Sequence, residues 1–198
     1  MRRPLFFLML VLGWTAAQAS HPLLTEDTGV LGEGVWQLEL HGEAIRDERD
    51  HAAAVLAYGV AASADLQLEA PRDGDAALSL KWRFYEAGPV SLVLKPDVTD
   101  SGWGANFVAG YELGAVELLG HLGYARADGE SSRHASAALL FNALPNLKLA
   151  LDFARDTNPD RDTHVLGLIY ALAPDIDLGF GRKGGDERAW LFGAKFRW

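Results

Sequence analysis

The sequence contains no cysteine. That absence excludes a disulfide framework and a lipid-modified N-terminal cysteine. Positive charge is scarce: 18 Lys and Arg stand against 27 Asp and Glu, for a formal charge of −9. Such a surface does not seek nucleic acid, which is held by Lys and Arg that neutralise phosphates. Long apolar runs are missing too. Past the first twenty residues, no stretch approaches the ~18 apolar residues of a membrane helix. A chain like this enters a bilayer only as a closed barrel, where every backbone group finds a partner. There is also no Gly-x-Ser-x-Gly, no phosphate-binding loop and no metal-spaced Cys/His cluster.

The first stretch reads as an address. Arg2 and Arg3 form a positive start, Leu5 to Trp14 an apolar run, and Ala17-Gln18-Ala19 a small-x-small cleavage site. The expectation is a signal peptide over 1–19, a periplasmic lead-in over 20–34 and a barrel over 35–198. Removing Arg2 and Arg3 takes two positive charges from −9, leaving the exported chain at −11.

The exported part alternates apolar with polar or small residues in segments of about ten, as barrel strands require. The segments are 35–46, 52–62, 65–71, 77–86, 90–98, 105–113, 115–126, 134–143, 146–156, 163–172, 175–183 and 188–198. Twelve is an even number, as expected of an all-β, transmembrane, antiparallel up-and-down barrel. Polar connections (47–50, 72–75, 100–102, 127–132, 158–162 and 184–187) alternate with tight turns such as Ala87-Gly88-Pro89 and Ala173-Pro174-Asp175. Long loops on one side and short, periplasm-facing turns on the other are expected.

Successive side chains of a strand point to opposite faces. Leu78, Leu80, Trp82 and Phe84 therefore oppose Ser79, Lys81, Arg83 and Tyr85. Leu166, Leu168, Tyr170 and Leu172 oppose Val165, Gly167, Ile169 and Ala171. Aromatics gather near the strand ends: Trp36, Tyr58, Phe84, Tyr111, Phe141 and Tyr170 on one side, Tyr124, Phe153, Phe180 and Trp190 on the other. Two such girdles suit the two lipid–water interfaces. The last strand places Trp190, Phe192, Phe196 and Trp198 on one face. Phe196 and Trp198 resemble the C-terminal insertion signal that outer-membrane proteins present to their assembly machinery.

With the apolar face given to lipid, the other face lines a lumen. The candidates are Glu39, His41, Glu43, Gln67, Glu69, Lys81, Arg83, Lys95, Glu117, His121, Lys148, Asp152 and Lys195. Twelve strands lie between the filled eight-stranded barrels and the open sixteen-stranded ones. A selective pore and a salt-bridged plug are both open readings. Glu39, His41 and Glu43 share a face but come from one strand, so they read as a hydrated wall; no metal and no cofactor is expected. His134 and Ser136 form a His-x-Ser pair of the kind found in barrel lipid hydrolases, with Asp152 or Glu117 as the candidate acid. Parity turns the pair into the lumen, away from lipid, so no enzyme is expected.

The opening His21-Pro22-Leu23-Leu24-Thr25-Glu26-Asp27-Thr28-Gly29, followed by Gly32-Glu33-Gly34-Val35-Trp36-Gln37-Leu38-Glu39, resembles that of a known family. It is similar to the outer-membrane transporters named after the MetA pathway of phenol degradation. The resemblance covers residues 21–40. It implies passive or facilitated passage of small, aromatic or hydrophobic solutes through a barrel in the outer membrane of a Gram-negative bacterium. Asp27 and Thr28 read as turn residues of the lead-in. A plugged structural barrel and a lipid hydrolase are the alternatives.

Overall fold

The computed structural model describes residues 22–45, 50–157 and 160–198. The expected signal peptide, 1–19, lies outside the described residues. The twelve strands are β1 (Trp36–Ile45), β2 (His51–Ala61), β3 (Ala64–Pro71), β4 (Ala77–Ala87), β5 (Val90–Thr99), β6 (Gly102–Leu113), β7 (Val116–Ala127), β8 (Glu130–Leu144), β9 (Leu147–Thr157), β10 (Asp160–Ala173), β11 (Ile176–Gly185) and β12 (Ala189–Arg197). Each pairs antiparallel with its neighbours in sequence, and β1 pairs with β12, so the sheet closes. The closing register sets Gln37 opposite Arg197 and Glu39 opposite Lys195. Beyond it, Trp36 and Trp198 exchange two backbone hydrogen bonds of 3.0 and 3.1 Å. The terminal tryptophan is thus part of the seam.

Closure removes the free edges that an open sheet would expose. It also decides which face meets water. Leu40, Leu56, Leu68, Leu78, Leu94, Leu118, Leu139, Leu151, Leu168 and Phe192 are all exposed on the outside, with Trp36, Tyr111 and Trp190 among the aromatics towards the rims. Soluble monomers rarely expose a contiguous apolar patch beyond a few hundred Å². A belt around the whole wall fits hydrocarbon. Rings pair along it: Trp36 with Tyr58 at 4.6 Å, Trp103 with Tyr124 at 5.5 Å, and Phe180 stacked on Trp190 at 5.3 Å.

The connections differ from expectation on the polar side. The stretch 127–132 was expected to be a loop, but only Asp128 and Gly129 separate β7 from β8. Both have positive φ, 52° and 85°, which is the conformation a two-residue hairpin turn demands. Asp-Gly supplies it at little strain, so the flanking polar residues extend the strands instead. Similarly, Asp100 and Ser101 alone join β5 to β6, and β10 begins at Asp160. The loop rim is therefore only slightly longer than the turn rim. Bulges lie near the turn-rim ends of β2, β4, β8 and β10, where an extra residue adds local twist.

The segment expected as a periplasmic lead-in lies inside the barrel. It enters at the turn rim, where Gly34 N–H donates to Gly59 O at 2.9 Å. From there it runs inward to Pro22, which is packed against Gly167 and Gly181 at mid-height of β10 and β11. A Cβ added at Gly167 would stand 2.6 Å from Pro22 Cγ, and one at Gly181 2.7 Å from Pro22 Cβ. These two positions must be glycine for the wall to receive the proline. Leu23 completes an apolar cluster with Leu119, Leu140, Ala150 and Ile169. Leu24 packs on a second one, Ile45, Val165, Ala189 and Leu191. Residues that a wet lumen would not favour are thus covered by the chain's own N-terminal side.

Candidate functional site

The lead-in is fixed by charge as well as by packing. Asp152 on β9 is fully buried and accepts three hydrogen bonds: from Leu24 N–H at 2.7 Å, Thr25 N–H at 2.8 Å and the Thr25 hydroxyl at 2.7 Å. Across the lumen, Lys81 on β4 donates to Asp27 and, at 3.0 Å, to Glu26 Oε1. Lys95 on β5 reaches Glu26 Oε2 at 2.6 Å. Further along, Leu31 N–H donates to Asp65 on β3. The segment spans the interior: β9 and β4 are five strands apart around a wall of twelve. Burial works against the charge of Glu26, but Lys81 and Lys95 outweigh it, and the carboxyl is held well below the usual carboxylate range. Asp27 also accepts from Gly29 N–H at 2.9 Å, the local turn bond expected of it.

Beside the lead-in remains a polar cavity of about 620 Å³. It runs from Gln37 and Asp65 near the turn rim to His51, Asp73, Arg161 and Glu187 at the loop rim. The carboxylates lining it are Glu26, Asp27, Glu39, Glu43, Asp65, Glu69, Asp73 and Glu187; the cations are Lys81, Lys95, Arg161, Lys183 and Lys195. Eight negative groups against five positive ones leave an excess of three negative charges. Most cations are engaged. Lys195 lies 3.5 Å from Glu39, and Lys183 lies 2.6 Å from Glu43 and 2.7 Å from Glu187. The hydrogen bond from Lys183 lowers the pKa of Glu187, against a smaller opposing effect of burial.

Among the sequence-derived lumen residues, Glu39, His41, Glu43, Gln67, Glu69, Lys81, Lys95, His121 and Lys195 all line this cavity. Four do not. Asp152 is sealed under the lead-in. Glu117 and Lys148 pair at 3.5 Å, and Arg83 pairs with Glu86 at 3.1 Å, all close to the turn rim. Sequence reasoning missed Asp65, although it shares the parity of Gln67 and Glu69. It also missed Lys183, Glu26 and Asp27. No group of three or more His, Asp or Glu side chains suited to a metal occurs among the described residues.

The His-x-Ser pair does acquire a third group, but not Asp152 or Glu117. His134 Nδ1 lies 2.8 Å from Asp156, its partner on β9, and Nε2 lies 3.1 Å from Ser136 Oγ. The Ser136 and Thr25 hydroxyls are 2.9 Å apart. Thr25 has one hydroxyl proton for two acceptors, and the Asp152 carboxylate is the stronger one. The Ser136 hydroxyl is thus bound both to the docked lead-in and to the imidazole of His134. The trio ties the lead-in to the wall. His121, whose ring lies 4.8 Å from that of His134 and whose Nε2 is 2.9 Å from Asn106 Oδ1, extends the network.

No family model and no curated protein sequence matches the chain, so the likeness of its opening to the phenol-pathway transporters has no support from that side. Solved structures do match in fold. The KdgM porin superposes with a TM-score of 0.69 at 6% identity, covering 81% of this chain and 98% of that one. The NanC porin gives 0.64 at 10% identity over 80% and 98%. Omp33, an outer membrane protein of Acinetobacter baumannii, gives 0.58 at 13% over 84% and 99%. The chain is similar to these in overall fold, its own barrel being closed by twelve strands.

Proposed function

We propose that this protein is a non-enzymatic channel for small solutes in the outer membrane of a Gram-negative bacterium. Residues 1–19 would direct export and then be removed, and insertion would use the terminal Phe196 and Trp198. The observation that carries the reading is the polar cavity running from rim to rim inside an apolar-coated barrel. Solutes would diffuse down a gradient past paired charges, with the docked lead-in narrowing the way. The name of the phenol pathway points to aromatic solutes, whereas carboxylates and lysines along the cavity favour polar ones. A KdgM porin structure has been solved in complex with disordered oligogalacturonate, a polyanion. Here an excess of carboxylates opposes a solute of that sign.

Reconstitution tests the reading. Refolded protein should give discrete conductance in planar bilayers and pass small solutes into liposomes. Absence of both would leave the second reading, a barrel closed by its own lead-in and serving the envelope structurally. The crossing from Asp152 to Lys81 is what favours that alternative.

A further inference from the structure

We infer that the inner wall of β1–β3 binds a small organic cation, specifically a protonated primary amine. The inference rests on the channel reading for access and names the solute class that the cavity holds.

The strand registers build a trough. Gln37, Ala57 and Gln67 are level across β1, β2 and β3, and so are Glu39, Val55 and Glu69. At these levels the middle strand presents Val55 and Ala53 to the cavity, with Ala52 and His51 nearer the loop rim and Ala57 buried, so the floor there is low and apolar. The flanking strands raise amides and carboxylates on both sides, about 10 Å apart at two interstrand spacings. Glu39 is occupied by Lys195 at 3.5 Å. Glu69 faces the same space and has no ion-pair or hydrogen-bond partner among the described residues.

A second observation is independent of the carboxylates. Gln37 lines the cavity, is only 6% exposed, and its Oε1 has no hydrogen-bond partner. Buried acceptors are seldom left unmatched. The terminal side-chain torsion is soft, so a donor bound in the trough would draw the amide oxygen towards it by rotation. One free carboxylate, one unmatched amide oxygen and an apolar floor ask for a ligand with several N–H donors on a short hydrocarbon body. An alkylammonium offers three donors at a single charge. A metal ion would need more convergent ligands than one free carboxylate provides. A quaternary ammonium lacks N–H donors, and no Phe, Tyr or Trp face among the described residues lines the cavity to hold it.

The test is a calorimetric titration of the refolded full-length protein in detergent with butylammonium chloride. Tetramethylammonium and butyrate serve as matched probes. Butylammonium should bind, and at least ten times more tightly than either control. Glu69→Gln keeps the shape and should weaken binding at least tenfold. Val55→Lys should abolish it by placing a tethered ammonium on the floor. Equal binding of butylammonium and tetramethylammonium, or unchanged binding by Glu69→Gln, would overturn the site. Each variant is first checked for the heat-dependent gel shift of a folded barrel. Liposome flux of a neutral sugar reads the channel separately. Flux without amine binding sinks this site alone, and amine binding without flux sinks the channel alone.

Discussion

Replacing Lys81 by methionine isolates the energetics of the docked lead-in. Lys81 is 3% exposed and holds Asp27, itself 4% exposed, together with Glu26. Methionine keeps most of the stem and removes the charge, so Asp27 becomes a buried carboxylate without its cation. Removing one partner of a buried pair costs about 3–5 kcal/mol. The strands need not bear that penalty. Asp27 belongs to a segment outside the sheet and can withdraw into water. The destabilisation therefore falls on the docked state alone. At about 1.4 kcal/mol per tenfold change, docking weakens by roughly two to three and a half powers of ten. Glu26 retains Lys95 at 2.6 Å, which favours the lower end of that range. Single-channel recordings should show larger or longer openings for Lys81→Met than for wild type. The double variant Lys81→Met/Asp27→Asn should recover the narrow state, because a neutral amide needs no counterion. A folded Lys81→Met barrel that conducts like wild type would refute the argument, and so would a double variant that stays open.

Three further outcomes follow from the same geometry. Mild acid should not mimic Lys81→Met: the lowered pKa of Glu26 keeps its contribution fully present above the ordinary carboxylate range, and it is lost only as pH falls through the lowered value. Conductance traces should show no rise in open fraction from pH 7 to pH 5, and a marked rise at pH 5 would contradict the latch. Gly167→Val places a side chain where Pro22 Cγ would be 2.6 Å away, so added protease should clip the lead-in faster while the gel shift persists. Deleting Trp198 removes both backbone hydrogen bonds to Trp36 at the seam, so refolding into lipid should slow, as followed by the rate at which the heat-sensitive band appears.

The outer half of this molecule was legible because lipid imposes one simple rule on it. Every second residue of each strand must be apolar, and all twelve strands were found where that alternation placed them. The rims were less legible. Polarity between 127 and 132 looks like a loop, yet Asp128-Gly129 can turn in two residues and the polar flanks then pair. The lead-in was missed for a different reason. Its footprint is written on the strands, as inward residues that are apolar: Leu119, Leu140, Val165, Ile169 and Leu191. A lumen-facing leucine signals a covering partner, but alternation alone does not say which segment supplies it. The third group beside His134 was likewise a matter of register. Asp156, not Asp152, is the residue opposite His134 on β9, and only the pairing reveals that.

The position of Pro22 bears on how this protein can be handled. The proline is less than 2% exposed and seated at mid-barrel between Gly167 and Gly181. A tag fused directly at Pro22 would begin inside the barrel and would disturb any transport assay. The other end offers no better site, since Trp198 is bonded into the seam. Hairpin tips such as Asp128-Gly129 and Asp100-Ser101, outside both the seam and the lumen, are where labels and epitopes belong.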